Sequence, residues 1–342
     1  PIKKNKASFL VSARRTYIDV LARPFQKKEN GIVGYYFYDM NAKVNYVVNY
    51  KNKLYLSGYF GKDKFYVKDL KDAGSGTSSN AGLDWGNATG TLRWNHKKKK
   101  KLFSNVSIIF TNFLFNIGFQ EKTPSSTSTL RYFSGIRDYS VKTDFDYYPN
   151  SKHTIKMGIN ATYHYFRPNA IVIQSNDPGN ADIQLNSKTH IDTYETAVYA
   201  EDDFKISDKW RTNIGFRFSN FNVRSKSYFN PEPRVSLKYA IKKDLSVKAS
   251  YATMNQYIHL LSNSGMGLPS DLWVPATDRV KPQQSHQVAL GLAKDLKIKE
   301  AAFQVSAEGY YKRSKNIIGY KEGSSFLSTS NVDLDGGYKF SY

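Results

Sequence analysis

Apolar and polar residues alternate with period two through most of this chain, and that pattern admits few folds. Trp210, Thr212, Ile214, Phe216 and Phe218 alternate with Arg211, Asn213, Gly215, Arg217 and Ser219. Val235, Leu237, Tyr239 and Ile241 alternate with Arg234, Ser236, Lys238 and Ala240; beyond a turn, Leu245, Val247, Ala249 and Tyr251 alternate with Ser246, Lys248 and Ser250. Ile155, Met157, Ile159, Ala161 and Tyr163 are set against Lys156, Gly158, Asn160, Thr162 and His164. Successive strand side chains point to opposite faces, so each segment is a ribbon with one greasy and one wet side. In a soluble sandwich the greasy side is the core. In a transmembrane barrel it meets lipid and the wet side lines the lumen.

Segment length and the spacing of connections separate these two cases. The alternating segments run about 9–14 residues, close to the ~9–11 that a tilted strand needs to cross hydrocarbon, whereas soluble strands centre on about 5–6. Connections alternate in length: short at 3–6, 50–53, 96–101, 149–152, 207–209, 242–244 and 295–299, long at 22–33, 61–84, 120–129, 167–190, 222–233 and 253–285. Outer-membrane barrels have this short-long rhythm, with tight periplasmic turns and longer external loops. No run of about 18 apolar residues supplies a transmembrane helix, and lipid leaves no partner for an open sheet edge, so a strand-built span must close into a barrel. The expectation is an all-β, transmembrane antiparallel β-barrel of roughly 13–14 strands, from 8–20 to 301–313 with a further strand beginning at Asn331. Because the first residues read as a periplasmic turn, a strand is expected before Pro1, and residues 1–342 read as one incomplete barrel domain.

The chain is rich in aromatic residues, with 26 Tyr and 21 Phe. They gather near expected strand ends: Tyr35, Tyr36, Phe37 and Tyr38; Tyr147 and Tyr148; Tyr163, Tyr165 and Phe166; Trp210; Tyr310 and Tyr311. Rings with an apolar body and a polar tip suit interfacial girdles. The formal charge of +21 invites a nucleic-acid reading, but most lysines sit in short turns between apolar strands, as in the run 97–101, and read as a solvated rim. No nucleic-acid partner is expected.

The residues offer little for catalysis. The absence of cysteine removes disulfides, thiolate metal sites and cysteine nucleophiles. His96, His153, His164, His190, His259 and His286 show no ligand spacing. Glu201, Asp202 and Asp203 read as a rim cluster, and neither a Gly-x-Ser-x-Gly elbow nor a Walker loop is present. No enzyme, metal or cofactor is expected, and residues 1–6 lack an apolar signal core. Recognition is expected in the long connection 253–285, where Tyr257, His259, Asp271, Trp273 and Arg279 can stack and hydrogen-bond; packing within the loop is the competing reading of each. Lys156, Arg217, Lys238 and Lys248 are expected to face the lumen, either favouring anionic ligands or pairing with acids of a plug.

Particular strings then resemble a family. Ser12-Ala13-Arg14-Arg15-Thr16-Tyr17 and Asp39-Met40-Asn41-Ala42-Lys43-Val44-Asn45 resemble early barrel strands of TonB-dependent receptors from the Bacteroidota. Tyr199-Ala200-Glu201-Asp202-Asp203-Phe204-Lys205-Ile206, with Trp210 and Asn213-Ile214-Gly215-Phe216-Arg217 after it, is similar to their acidic-turn hairpin. Pro231-Glu232-Pro233-Arg234-Val235-Ser236-Leu237 and Leu272-Trp273-Val274-Pro275, with Lys281-Pro282-Gln283 and Ser285, complete the set. The resemblance implies a barrel of roughly 22 strands around a plug, in the outer membrane, with import driven by TonB, ExbB and ExbD. The TonB box and plug are not among these residues, so contact with the TonB complex would be made through a missing N-terminal region. A passive 14-strand channel and a structural barrel scaffolding surface lipoproteins are the rival readings.

Overall fold

The computed structural model describes residues 6–27, 31–71, 76–99, 101–176, 185–188, 190–261, 272–298 and 300–319. In chain order the strands are β1 (Ala7–Arg15), β2 (Ile32–Asn49), β3 (Asn52–Lys71), β4 (Ser78–Lys99), β5 (Leu102–Lys122), β6 (Thr127–Tyr147), β7 (His153–Asn176), β8 (Leu185–Lys188), β9 (Ile191–Lys205), β10 (Trp210–Val223), β11 (Lys226–Lys242), β12 (Leu245–Gln256), β13 (Ile258–Leu261), β14 (Leu272–Pro275), β15 (Gln283–Ile298) and β16 (Ala301–Lys315). One antiparallel meander runs β1-β2-β3-β4-β5-β6-β7-β9-β10-β11-β12-β15-β16, β8 pairs with β7, and β13 and β14 form a separate hairpin. Among the described residues the sheet is open between its edge strands β1 and β16. A short helix, α1 (Ile18–Ala22), follows β1 where a continuous strand to Val20 was expected. There the Arg15 guanidinium donates to Asp19 at 2.8 Å, an i,i+4 contact that a helical turn brings together and an extended chain does not.

Register fixes the two faces. Ile214 stands opposite Asp202 on β9 and Val235 on β11, while Arg217 stands opposite Tyr199 and Glu232. The outer face keeps large apolar side chains in the open: Ile214 is 59% exposed, and Phe216, Ile159, Val198 and Leu290 are likewise exposed. A water-facing surface would be penalised for such a band, and acyl chains supply the missing environment. Aromatic rings mark its limits. Trp210 and Tyr239 lie 4.4 Å apart at the short-turn end, and Tyr163 lies between Tyr139 and Tyr194 nearer the other.

The strands are longer than expected, and this corrects several connections. β4, β5, β6 and β7 contain 22, 21, 21 and 24 residues. At ~3.3 Å per residue and a tilt of ~40°, β7 rises about 60 Å against a band of about 25 Å, so the wall projects far beyond the hydrocarbon. Most of 61–84 is therefore strand. The connection 120–129 shrinks to residues 123–126, and 222–233 shrinks to Arg224 and Ser225, with Arg224 at φ 50°. Above the membrane the outer face of a strand meets water in place of lipid, so the outward greasy face ends although the ladder continues. Asn331 and the fourteenth strand proposed there lie outside the described residues.

Candidate functional site: the inner wall and its folded-in hairpin

The inner face is organised in rows across the strands. One row runs Asp146, Lys156, Glu201, Gly215 and Arg234 from β6 to β11; the next runs Asp144, Gly158, Tyr199, Arg217 and Glu232. Opposite charges thus face one another across neighbouring strands, where such pairs are favourable. Arg217 Nη2 lies 3.3 Å from Glu195 Oε1 and its Nε 3.8 Å from Glu232 Oε2, which Arg234 also approaches at 3.9 Å. Lys142 holds Asp144 at 3.1 Å, and the Tyr199 hydroxyl donates to the same carboxylate. These groups border a cavity of about 500 Å³ lined by Lys142, Tyr199, Glu201, Arg217, Glu232 and Arg234. Nearer the short turns, Arg211 donates two hydrogen bonds to Asp203, at 2.6 and 2.8 Å.

All four expected lumenal bases share this face. Lys156 stands between Asp146 and Glu201, and Arg217 is held by glutamates. Lys238 stands directly opposite Lys248 with no ion pair for either among the described residues. The wall is therefore a mosaic of both signs, with one surplus of positive charge at Lys238 and Lys248.

Toward the long-loop end the polar rows give way to apolar residues on the same face. Phe166, Ile191, Phe221 and Val223 are buried, and Tyr257 and Ala276 complete their cluster. A second cluster joins Leu83, Phe115 and Tyr132 of the wall to Leu261 and Val274. The connection between β12 and β15 therefore does not stand out in water; its β13–β14 hairpin folds against the inner face of the wall. The Tyr257 ring stacks on Phe221, 4.8 Å apart and 3° from parallel. Polar groups also hold it. Ser219 Oγ donates its one proton to Glu232 at 2.6 Å, so Tyr257 donates to Ser219 at 2.7 Å and accepts from Asn230 Nδ2 at 2.8 Å. The Tyr228 hydroxyl donates to the Thr277 carbonyl at 2.5 Å; within the hairpin itself the Ala276 amide donates to the Tyr257 carbonyl at 2.7 Å, extending the β13–β14 ladder by one pair.

The expected recognition residues divide accordingly. Tyr257 and His259 are buried at 3% and 2% exposure, serving as the hairpin's attachment to the wall. His259 pairs with Val274, and the next pair, Leu260 with Trp273, points the opposite way. Leu260 is exposed and Trp273 half-buried, so this pair faces the interior, and Arg279 is exposed in the turn beyond. Asp271 lies outside the described residues. Sequence reasoning did not single out Glu195, Ser219, Glu232 or His164. His164 Nδ1 contacts Asp138 at 2.7 Å, and its Nε2 lies 3.8 Å from Glu195. Among the described residues no group of three potential ligands is arranged to hold a metal.

His259 makes hairpin docking sensitive to acid. Burial lowers its pKa from 6.5 to about 4, and its Nε2 has no hydrogen-bond partner in the docked state. An undocked hairpin takes up a proton near pH 6.5 and the docked one only near pH 4. Docking is thus fully stable above about 6.5 and weakens as pH falls through that window, by up to about 3 kcal/mol. Hydrogen exchange at the Ala276 amide, corrected for intrinsic rates, should show protection falling with pH in the wild type and much less in His259→Leu. A flat wild-type profile would exclude His259 as the cause.

An apolar exterior, a charged interior and tight turns at one end define the wall of an outer-membrane-type β-barrel. The sequence matches the family model described as "TonB dependent receptor-like, beta-barrel" over residues 22–339, and the chain belongs to that family. No curated protein matches it. Among solved structures it resembles the ferric-catecholate import receptor Fiu of E. coli K12, at 10% identity and TM-score 0.60 over 94% of this chain and 56% of that one. It also resembles the copper transporter OprC (11%, 0.62, 91% and 50%) and the RagAB peptide transporter (9%, 0.59, 92% and 43%). The chain spans about half the length of these structures, and the likeness is one of fold.

Proposed function

We propose that this chain is a large part of the wall of an active importer in the bacterial outer membrane, taking up a nutrient too scarce or too bulky for diffusion pores. The observation that carries the reading is the inner face. It bears charged rows along the wall and an inward hairpin that offers Leu260, Trp273 and Arg279 to an entering ligand. An inward-folded hairpin near the mouth gives a receptor a defined surface on which to seat a ligand. Lys238 and Lys248 are available to an anionic cargo or to acids of a plug, and the remaining charges keep the path polar. Siderophore, cobalamin, glycan and peptide are the cargo classes consistent with this reading, and the sequence strings favour a Bacteroidota source. Energy would come from TonB, ExbB and ExbD acting on a plug carried by the same polypeptide.

The test is uptake of a candidate ligand by cells producing the full-length protein, with and without TonB. Uptake should be abolished in the TonB-deficient strain. Undiminished transport would reject the active mechanism and leave a passive channel.

A further inference from the structure

In an antiparallel meander every second connection lies at the same end. The short connections after β2, β4, β6, β9 and β11 therefore share one rim, and they carry Lys51, Lys101, Lys209, Lys242 and Lys243 at their tips or flanks. Acidic residues there are few. Asp208 is held by Lys205 at 2.7 Å, whereas none of those five lysines has an ion pair among the described residues. The inner limit of the apolar band lies beside them. Lys51 Nζ is 5.4 Å from the centre of the Tyr50 ring, and exposed Trp94 and Trp210 lie on the outer face just above. Lys97 and Phe103, by contrast, continue the lumenal row of Asp146 and Lys156. Ammonium groups on flexible stems thus stand at the depth where aromatic rings meet the polar layer of a bilayer.

We propose that this rim is a docking surface for anionic phospholipid headgroups in the leaflet it meets. The lysines contact phosphate oxygens, and the rings lie at the level of the ester carbonyls. Clustered basic residues flanking a membrane span attract anionic lipids additively and over short range. The Lys101 ammonium donates to the Pro149 carbonyl, and the phosphate diester offers the negatively charged acceptor that this and the other four ammonium groups lack. This inference rests on the reading of the outer face as lipid-facing.

Full-length protein is placed in nanodiscs of phosphatidylcholine with or without added phosphatidylglycerol, and the lipids it retains on release are counted by native mass spectrometry. Wild type should enrich phosphatidylglycerol about tenfold over its bulk fraction. The variant carrying Lys51→Gln, Lys101→Gln, Lys209→Gln, Lys242→Gln and Lys243→Gln should fall to within about twofold of bulk, and the same positions as arginine should keep the enrichment. A control with Lys64→Gln, Lys68→Gln and Lys226→Gln, toward the opposite rim, should match wild type. Equal enrichment in the rim variant would overturn the proposal, as would complete displacement of the lipid by millimolar inorganic phosphate, which would indicate a free-anion site. Insertion without enrichment overturns the lipid proposal alone. Failure to insert into either nanodisc overturns the lipid-facing reading and this inference with it.

Discussion

Replacing Phe221 with alanine should release the β13–β14 hairpin from the wall. Phe221 is fully buried, stacks on Tyr257 and closes a cluster with Phe166, Ile191 and Val223. Truncating a buried phenylalanine costs about 3–5 kcal/mol, the lost apolar transfer plus the cavity left behind. The strand itself is held by ladders on both sides, so this cost falls on the docking contact and not on the sheet. These 342 residues contain no cysteine, so a single introduced thiol in the wall gives a clean readout. A single Val274→Cys, buried in the docked state, should react with a soluble thiol reagent at least about 100-fold faster when Phe221→Ala is added. Phe221→Leu should recover most of the protection. Equal labelling rates in the two backgrounds would mean that the stacking does not hold the hairpin.

The second large effect tests the two faces of the wall. Phe216→Lys puts an ammonium in the middle of the apolar band, opposite Ala200 and Pro233 with no carboxylate directly across from it, where a lipid-facing lysine costs about 2–4 kcal/mol. Asn213→Lys, on the other face of the same strand, points to the lumen beside Asp203 and should change stability by less than about 0.5 kcal/mol. Urea-induced unfolding from phospholipid vesicles measures both. Equal costs would show that both faces meet the same medium, and the membrane reading would not survive that result.

The parts of the fold legible in the sequence were those where lipid writes a pattern. In 155–163, 210–218 and 235–241 one side must be apolar and the other need not be, so period two is enforced residue by residue. The upper parts of β3, β4 and β7 carry no such constraint on their outer face. Those within 61–84 and 167–190 were read as loops because a strand that has left the lipid has no obligatory outward greasy face. The hairpin's fold-back was legible only indirectly. Phe166, Phe221 and Val223 fall on the register of Arg217 and Ser219, so apolar residues occupy lumenal positions near the strand tops. A break of parity of that kind signals something packed against the inside. Tyr257 and His259 were conspicuous as loop residues with chemistry, yet composition does not say whether a ring meets a ligand or a wall. Trp273 and Arg279 keep the open side because the hairpin's own alternation turns Leu260 and Trp273 away from His259 and Val274. The charge pairs around Glu195 and Glu232 depend on cross-strand neighbours, which no local spacing reveals.

The hairpin leaves the sheet from β12 and returns to β15, which is β12's immediate neighbour in the ladder. Its length and composition are therefore decoupled from strand register, and residues can be gained, lost or exchanged within it without re-threading anything else. Such a detour lets a lineage retune what is recognised at the mouth while inheriting the wall intact, so diversification among descendants should concentrate there first.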